Sequence, residues 1–215
     1  LLEAPWRAGK KIIMLEPRRL AAKSIASYLA TQLGEPLGET VGYQIRFEQK
    51  HSARTRLLVV TEGVLIRKIQ HDPELSSIDL LIFDEFHERS LQTDLALALA
   101  LEVQQLNSEL RLLLMSATMD TAKLSTSLQA PVLVSEGRSY PVEIRYQPPS
   151  SEPLWLQVAK LAAQLLAQHE GNFLLFLPGQ REIEQAADYL GSLMLPAHVS
   201  VFPLLGKLSL AEQQQ

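Results

Sequence analysis

The densest chemistry in the chain lies in the stretch LLIFDEFHERS at 80–90, where an apolar run ends on Asp84 and Glu85, and His87, Glu88 and Arg89 follow at once. Two adjacent carboxylates at the tip of a buried strand can divide labour. The first can hold Mg²⁺ through waters, and the second can take a proton from a water that attacks a phosphoryl group. A solvent-facing acidic turn is the structural alternative. A glycosidase pair fits poorly, because its carboxyls face each other across a sugar at roughly 5–9.5 Å, whereas neighbours on one strand point to opposite sides. His87 could be a metal ligand, a core histidine or a residue that couples two parts of a site. No second histidine stands near it at ligand spacing, His71 being remote in the pattern, so a dedicated zinc site is disfavoured.

Three further polar groups follow apolar runs in the same way. Glu16, Pro17, Arg18 and Arg19 follow KIIML, Thr61, Glu62 and Gly63 follow RLLVV, and Ser116 and Thr118 follow LRLLLM. Cations at a helix amino end oppose its dipole, a local cost that favours a role for Arg18 and Arg19 beyond capping or pairing with nearby acids. Serine and threonine at a strand end can be plain caps. Backbone amides, hydroxyls and guanidinium groups also suit phosphate oxygens, a contact that reads no bases.

The elements that must position these groups are legible in the apolar periodicity. Strands are expected over 11–15, 40–48 (a strand with its turn), 54–61, 78–85, 110–118 and 131–136, and helices over 20–33, 62–71, 91–106 and 120–128. Strands alternating with helices predict an α/β fold, a parallel sheet with helices on both faces. Such sheets bind ligands at the carboxyl edge of their strands, where the polar groups cluster. Composition shifts after Gly137: residues 138–153 carry Pro141, Pro148, Pro149 and Pro153 and read as an extended crossing. Over 154–215 a helix (154–169), a strand (GNFLLFLPG, 171–179), a helix (REIEQAADYLGSL) and a strand (HVSVFPL) read as the start of a second α/β unit. There is no short-period repeat, and the terminal glutamine run is the one low-complexity tract.

Composition narrows the classes. Hydrophobic residues at 47% and charged residues at 20% describe a folded globular chain rather than a disordered one. No apolar stretch approaches the roughly 18 residues of a membrane span, and no signal-peptide pattern opens the chain. The absence of cysteine excludes disulfides and Cys-ligated zinc and is compatible with the reducing cytoplasm, the expected compartment. Net charge is −4, yet residues 41–70 hold six basic side chains against two acidic ones, either a solvated face or a surface for nucleic acid.

Taken in order, these motifs resemble those of the DEAH-box helicases of superfamily 2. Asp84-Glu85-Phe86-His87 with Glu88-Arg89-Ser90 resembles motif II, with Phe86 where the family usually has alanine. Ser116-Ala117-Thr118 resembles motif III, Glu16-Pro17-Arg18-Arg19-Leu20-Ala21-Ala22 motif Ia, and Thr61-Glu62-Gly63-Val64-Leu65 motif Ib. Leu174-Leu175-Phe176-Leu177-Pro178-Gly179 with Arg181-Glu182-Ile183-Glu184 resembles motif IV. The phenylalanine variant, with GYQIRFE and SEGRSYPVE, is most similar to the bacterial HrpB-type ATP-dependent helicases, and the likeness covers nearly the whole chain. It implies a first RecA-like domain at 1–137, a crossing at 138–153 and the beginning of a second RecA-like domain at 154–215. It implies ATP and Mg²⁺ as cofactors and single-stranded nucleic acid, RNA in the first place, as partner. Asp84 would bind Mg²⁺ through water and Glu85 would deprotonate the attacking water. His87, Ser116 and Thr118 would couple the nucleotide site to the nucleic-acid side, where Pro17, Arg18, Arg19, Thr61, Glu62 and Gly63 would line the strand-binding face.

Two family features have no counterpart. A phosphate loop needs G-x-x-x-x-G-K-[ST]; Gly9-Lys10 comes nearest, but Lys11 replaces the hydroxyl residue and Ala4 the first glycine. Motifs V and VI do not follow residues 201–204. The expectation is an internal segment of a longer helicase that does not hydrolyse ATP alone. The alternatives are a non-catalytic nucleic-acid-binding module of the same fold and a metal-dependent hydrolase built on Asp84, Glu85 and His87.

Overall fold

A computed structural model of the chain describes residues 1–117, 121–135, 137, 140–148 and 150–205. They divide into two compact units, Leu1–Ser135 and Glu136–Gln215. In the first, six strands are β1 (Lys11–Leu15), β2 (Val41–Ile45), β3 (Glu48–Lys50), β4 (Leu57–Val60), β5 (Ile78–Phe83) and β6 (Arg111–Leu114). They form one sheet in the order β3-β2-β4-β1-β5-β6, parallel except for β3. The helices are α1 (Arg19–Gln32), α2 (Glu62–His71), α3 (Leu91–Leu106) and α4 (Thr121–Leu128).

Alternation along the strands builds two cores. Ile12, Met14, Val59 and Ile82 face one side, where Ala22, Ala26 and Ala30 of α1 pack on them. Alanines at every fourth position form one smooth stripe, so α1 can lie close to the sheet. Ile13, Leu15, Val60, Leu81 and Phe83 face the other side and meet Val64, Leu65 and Ile69 of α2 and Ala96, Leu97, Ala100 and Val103 of α3. Both faces are covered, as the continuous apolar runs of β4 and β5 require. α1 stops at Gly34, whose φ of +69° is the left-handed conformation that ends helices.

The stretch over 40–48, expected as a strand with its turn, is β2 and a tight turn, and it continues into a hairpin with β3. Ile45 pairs with Glu48 across a two-residue turn of Arg46 and Phe47, and β3 follows. Gly42 permits it, since a Cβ there would lie 2.6 Å from the Lys50 carbonyl oxygen.

In the second unit α5 (Leu154–Leu166) and α6 (Gln180–Ser192) pack through Ala159, Ala186 and Leu190. The strands expected at 131–136, 171–179 and 198–204 do not form among the described residues; Glu136 lies outside them. Strand alternation is nevertheless present at 174–177, where Leu175 and Leu177 pack against the helix pair while Leu174 and Phe176 are exposed. A strand exists only with a neighbour to satisfy its backbone, and among the described residues this segment has no ladder partner. No described helix is long and apolar enough to cross a membrane.

Candidate active site

Sheet register assembles the site. Leu15 pairs with Val60 on one side and Phe83 on the other, and Phe83 pairs with Leu114. The next residues, Glu16, Thr61, Asp84 and Met115, therefore leave four adjacent strands at one level of the carboxyl edge. Backbone bonds carry the alignment past the strands: Glu16 N–H to Val60 at 2.9 Å, Asp84 N–H to Leu15 at 3.0 Å and Met115 N–H to Phe83 at 2.8 Å.

Asp84 begins the turn. One of its carboxylate oxygens accepts the Glu85 N–H at 2.9 Å, and the other accepts no hydrogen bond from the described residues. Glu85 lies in the left-handed region at φ 50°, ψ 33°, which throws its carboxylate out of the strand direction that Asp84 continues. A non-glycine residue there costs on the order of 1 kcal/mol or more and persists only where its surroundings enforce it. The enforcement is visible: Phe86 N–H bonds the Met115 carbonyl at 3.0 Å, Glu88 N–H bonds the Glu85 carbonyl at 2.9 Å, and the Phe86 ring is buried in the α2–α3 core. Phe86 through Glu88 form a single 3₁₀ turn. It places His87 Nδ1 3.4 Å from a Glu85 carboxylate oxygen, within ion-pair range, while Nδ1 is buried and has no hydrogen-bond partner.

Glu16 adds a fourth carboxylate to this edge. It is only 1% exposed, and it accepts the Arg18 N–H at 3.1 Å, satisfying an amide at the start of α1. Burial raises its proton affinity above the usual carboxylate range; the Arg18 amide opposes this, and the charges of Asp84, Glu85 and Glu88 add to it. Arg18, exposed, pairs with Glu88. Arg89 forms a two-pronged pair with Asp94, both bonds at 3.0 Å. Negative charge thus gathers at Asp84 and Glu85 with a single guanidinium bridging its rim. Among the described residues no group of three or more His, Asp or Glu side chains is arranged to hold a metal by itself.

A second network braces the turn. Ser90 caps α3, accepting the Thr93 N–H at 2.9 Å, and its hydroxyl donates to Glu62; Thr93 Oγ1 donates to the same Glu62 oxygen at 2.7 Å. Glu62 opens α2, so the start of that helix is tied to the residue that follows the 3₁₀ turn.

The residues singled out from the sequence fall as follows. Asp84, Glu85 and His87 share one turn. Ser116 is exposed just beyond β6, and Thr118 lies outside the described residues. Pro17 is half-buried, and Arg18 and Arg19 are exposed at the start of α1. Thr61 is the buried N-cap residue of α2 and Gly63 is exposed in its first turn. Glu62 faces Ser90 and Thr93, a bracing position rather than an open one. Sequence reasoning passed over Glu16 as a site residue, although a carboxylate directly after an apolar strand was the signal. It also passed over Phe47, which is 91% exposed at a φ of 67°, with the Arg46 guanidinium 4.7 Å from its ring centre. A bulky exposed aromatic in that conformation is an outlier that points to function.

Comparison with known proteins agrees with this geometry. Residues 2–126 match the family model described as DEAD/DEAH box helicase. The chain is 50% identical to the ATP-dependent RNA helicase HrpB of Escherichia coli over 100% of its own length and 29% of that protein's. It is 34% identical to the ATP-dependent RNA helicase HrpA of Borreliella burgdorferi, over 100% and 27% of the two lengths. The crystal structure of the E. coli DEAH/RHA helicase HrpB superposes with a TM-score of 0.91 at 52% identity, covering 99% of this chain and 27% of that one. The chain spans less than a third of the length of these relatives, and its sheet is the RecA-like sheet of such helicases.

Proposed function

The chain belongs to the DEAD/DEAH box helicase family, and on that premise we propose that it supplies the acidic half of the nucleotide site of an ATP-dependent RNA helicase. The observation that carries the proposal is the register-matched carboxyl edge, where Asp84 and Glu85 leave one strand in two different directions. Residues 1–137 serve as the first RecA-like domain, 138–153 as the crossing and 154–215 as the beginning of the second. The setting proposed for this RNA enzyme is the cytoplasm.

The side chains fit Mg²⁺ with ATP. Asp84 has one oxygen committed to its own turn and one free, and Mg²⁺ is ordinarily held by one or two carboxylates together with phosphates and waters. Burial first, and then the charges of Asp84, Glu85 and Glu88, raise the proton affinity of Glu16, and that crowding of carboxylates is the field a dication relieves. Bound there, Mg²⁺ would neutralise phosphate charge that develops during phosphoryl transfer. Glu85, turned aside by its left-handed backbone, takes the proton of the attacking water. His87 holds Glu85 at ion-pair distance and passes displacement of the turn onward. Ser116, and Thr118 with it, present hydroxyls beside the same edge as further coupling groups.

RNA lies across the starts of α1 and α2. Pro17, Arg18, Arg19, Thr61, Glu62 and Gly63 define that face. Glu62 acts there by positioning α2 through Ser90, while Arg18, Arg19 and exposed amides contact phosphates. Phe47 and Arg46 add a stacking surface for an unpaired base.

The test is RNA-stimulated ATP hydrolysis by the protein as its gene encodes it. Glu85→Gln should lower turnover by about 10²–10⁴-fold, the usual worth of a positioned base, with RNA affinity unchanged. Turnover within threefold of wild type would remove Glu85 from the role. RNA binding with no hydrolysis in the wild-type protein would leave a binding module. The 215-residue chain alone should bind RNA and not hydrolyse ATP.

A further inference from the structure

A groove of about 730 Å³ runs between α2 and the β2–β3 hairpin, on the side of the sheet where α2 packs. Lys11, which opens β1, lines it together with His51, Arg67, Lys68 and His71. Glu16 follows the last residue of β1, so Lys11 and the acidic edge are separated by the length of that strand.

Among the permanently charged side chains of the groove wall, Lys11, Arg67 and Lys68 stand against Glu48 and Asp72. Of the two acids, Glu48 is paired with Lys23 at 2.6 Å and accepts the Tyr43 hydroxyl at 2.5 Å, while Asp72 accepts the Ser76 amide at 3.1 Å and keeps its charge. Lys11 and Lys68 have no carboxylate within ion-pair distance among the described residues, and Arg67 is satisfied only through Nε, bonded to the Gly63 carbonyl at 3.1 Å. Burial and the neighbouring Lys11 hold the Lys68 ammonium below its ordinary proton affinity. Burial, then Lys68 and Lys11, does the same to His51. Lys11 and Lys68, half-buried, close enough to repel each other and without a carboxylate at ion-pair distance, form a surface completed by an anion with several acceptor oxygens.

We propose that this groove is a phosphate-binding site, distinct from the acidic edge, in which Lys11 and Lys68 clasp a phosphate group and His51 and Arg67 flank it. The phosphate could belong to a small polyphosphate anion or to the backbone of an RNA strand, and the chemistry recognised is the same.

The experiment uses the 215-residue chain without Mg²⁺, with inorganic pyrophosphate and a single-stranded oligouridylate as probes. Binding is read from the imidazole proton resonances of His51 and His71 at fixed pH and from titration calorimetry. Pyrophosphate should shift both imidazole signals saturably, and Lys68→Gln and Lys11→Gln should each weaken it by about tenfold or more, the worth of one charge-assisted contact. Glu85→Gln should leave it unchanged. Shifts produced by pyrophosphate and competed by the oligouridylate, or by the oligouridylate alone, keep the site and assign its phosphate to RNA. Two lysine variants that fold, judged by far-ultraviolet circular dichroism, and bind as wild type would overturn the proposal. So would His51 resonances that neither probe moves.

Discussion

Replacing Phe86 by alanine, the residue its family usually carries there, tests whether the catalytic turn is held from beneath. Phe86 is 1% exposed and packs in the core shared by β5, α2 and α3. An aromatic side chain buries about 150–250 Å², which at about 25 cal/mol per Å² corresponds to about 4–6 kcal/mol. Measured Phe→Ala costs of about 3–5 kcal/mol include the cavity left behind, and alanine keeps part of the burial, so about 4 kcal/mol is expected. With a slope of about 2 kcal/mol per molar urea for a unit of this size, the midpoint should fall by about 2 M. Because the chain has two compact units, each with one tryptophan, the assay is Trp6 fluorescence in a Trp155→Phe background. Trp6 packs against the α1 core and under the Arg111 guanidinium, 4.5 Å from its ring centre. Phe86→Leu, which retains most of the volume, should cost about 1 kcal/mol. A Phe86→Ala midpoint within about 0.5 M of wild type, or equal losses for alanine and leucine, would refute the argument that the ring anchors the turn.

Glu16→Gln should stabilise the first unit at neutral pH, because the amide keeps the Arg18 N–H bond and removes a buried charge facing Asp84, Glu85 and Glu88. The sign follows from linkage: the folded carboxyl binds its proton more tightly than the unfolded one. Its contribution to stability therefore falls as pH rises from the unfolded value of 4.5 to the raised folded one, and stays low above it. Melting temperature against pH should lose that decline in the variant, and an unchanged profile would count against it. Ser90→Ala removes the α3 cap and one donor to Glu62 and should cost about 1–2 kcal/mol. Chemical denaturation of that variant, of Glu62→Gln and of the double variant should give non-additive losses; strict additivity would dissolve the network. Arg18→Ala and Arg19→Ala should each weaken oligouridylate binding and flatten its salt dependence by about 0.7 in log–log slope, the share of one single-strand phosphate contact. Unaltered slopes would take those arginines off the RNA face.

Local sequence was enough for elements whose identity depends on short range. The strands expected over 11–15, 54–61 and 78–85 formed at Lys11–Leu15, Leu57–Val60 and Ile78–Phe83, and α2 and α3 begin and end where their periodicity does. Punctuation was equally local, as with Gly34 after α1. The family was indicated by the resemblance of the ordered motifs to those of the DEAH-box helicases, and the residues they single out, Asp84, Glu85, Ser116, Arg18 and Thr61, follow apolar runs. Ladder pairing is different in kind: residues 174–177 carry the right alternation and remain unpaired among the described residues, while the antiparallel partner β3 beyond the turn at 46–47 depends on Gly42 letting it approach.

Adjacency across the sheet was decided by tertiary structure alone. Glu16 and Asp84 are far apart in sequence and become neighbours only because β1 lies between β4 and β5. The charges around Glu16 come from that placement, as does the meeting of Lys11 with Lys68 in a groove that no run of residues foretells. Phe86 shows the same division within one motif. Its type could be read as a departure from the family pattern, but the space its ring fills beneath Glu85 exists only once α2 and α3 close over the sheet. Sequence carries the period of each element and the chemistry at its tip; distances between tips belong to the packed fold, because burial and pairing are satisfied only among segments remote along the chain.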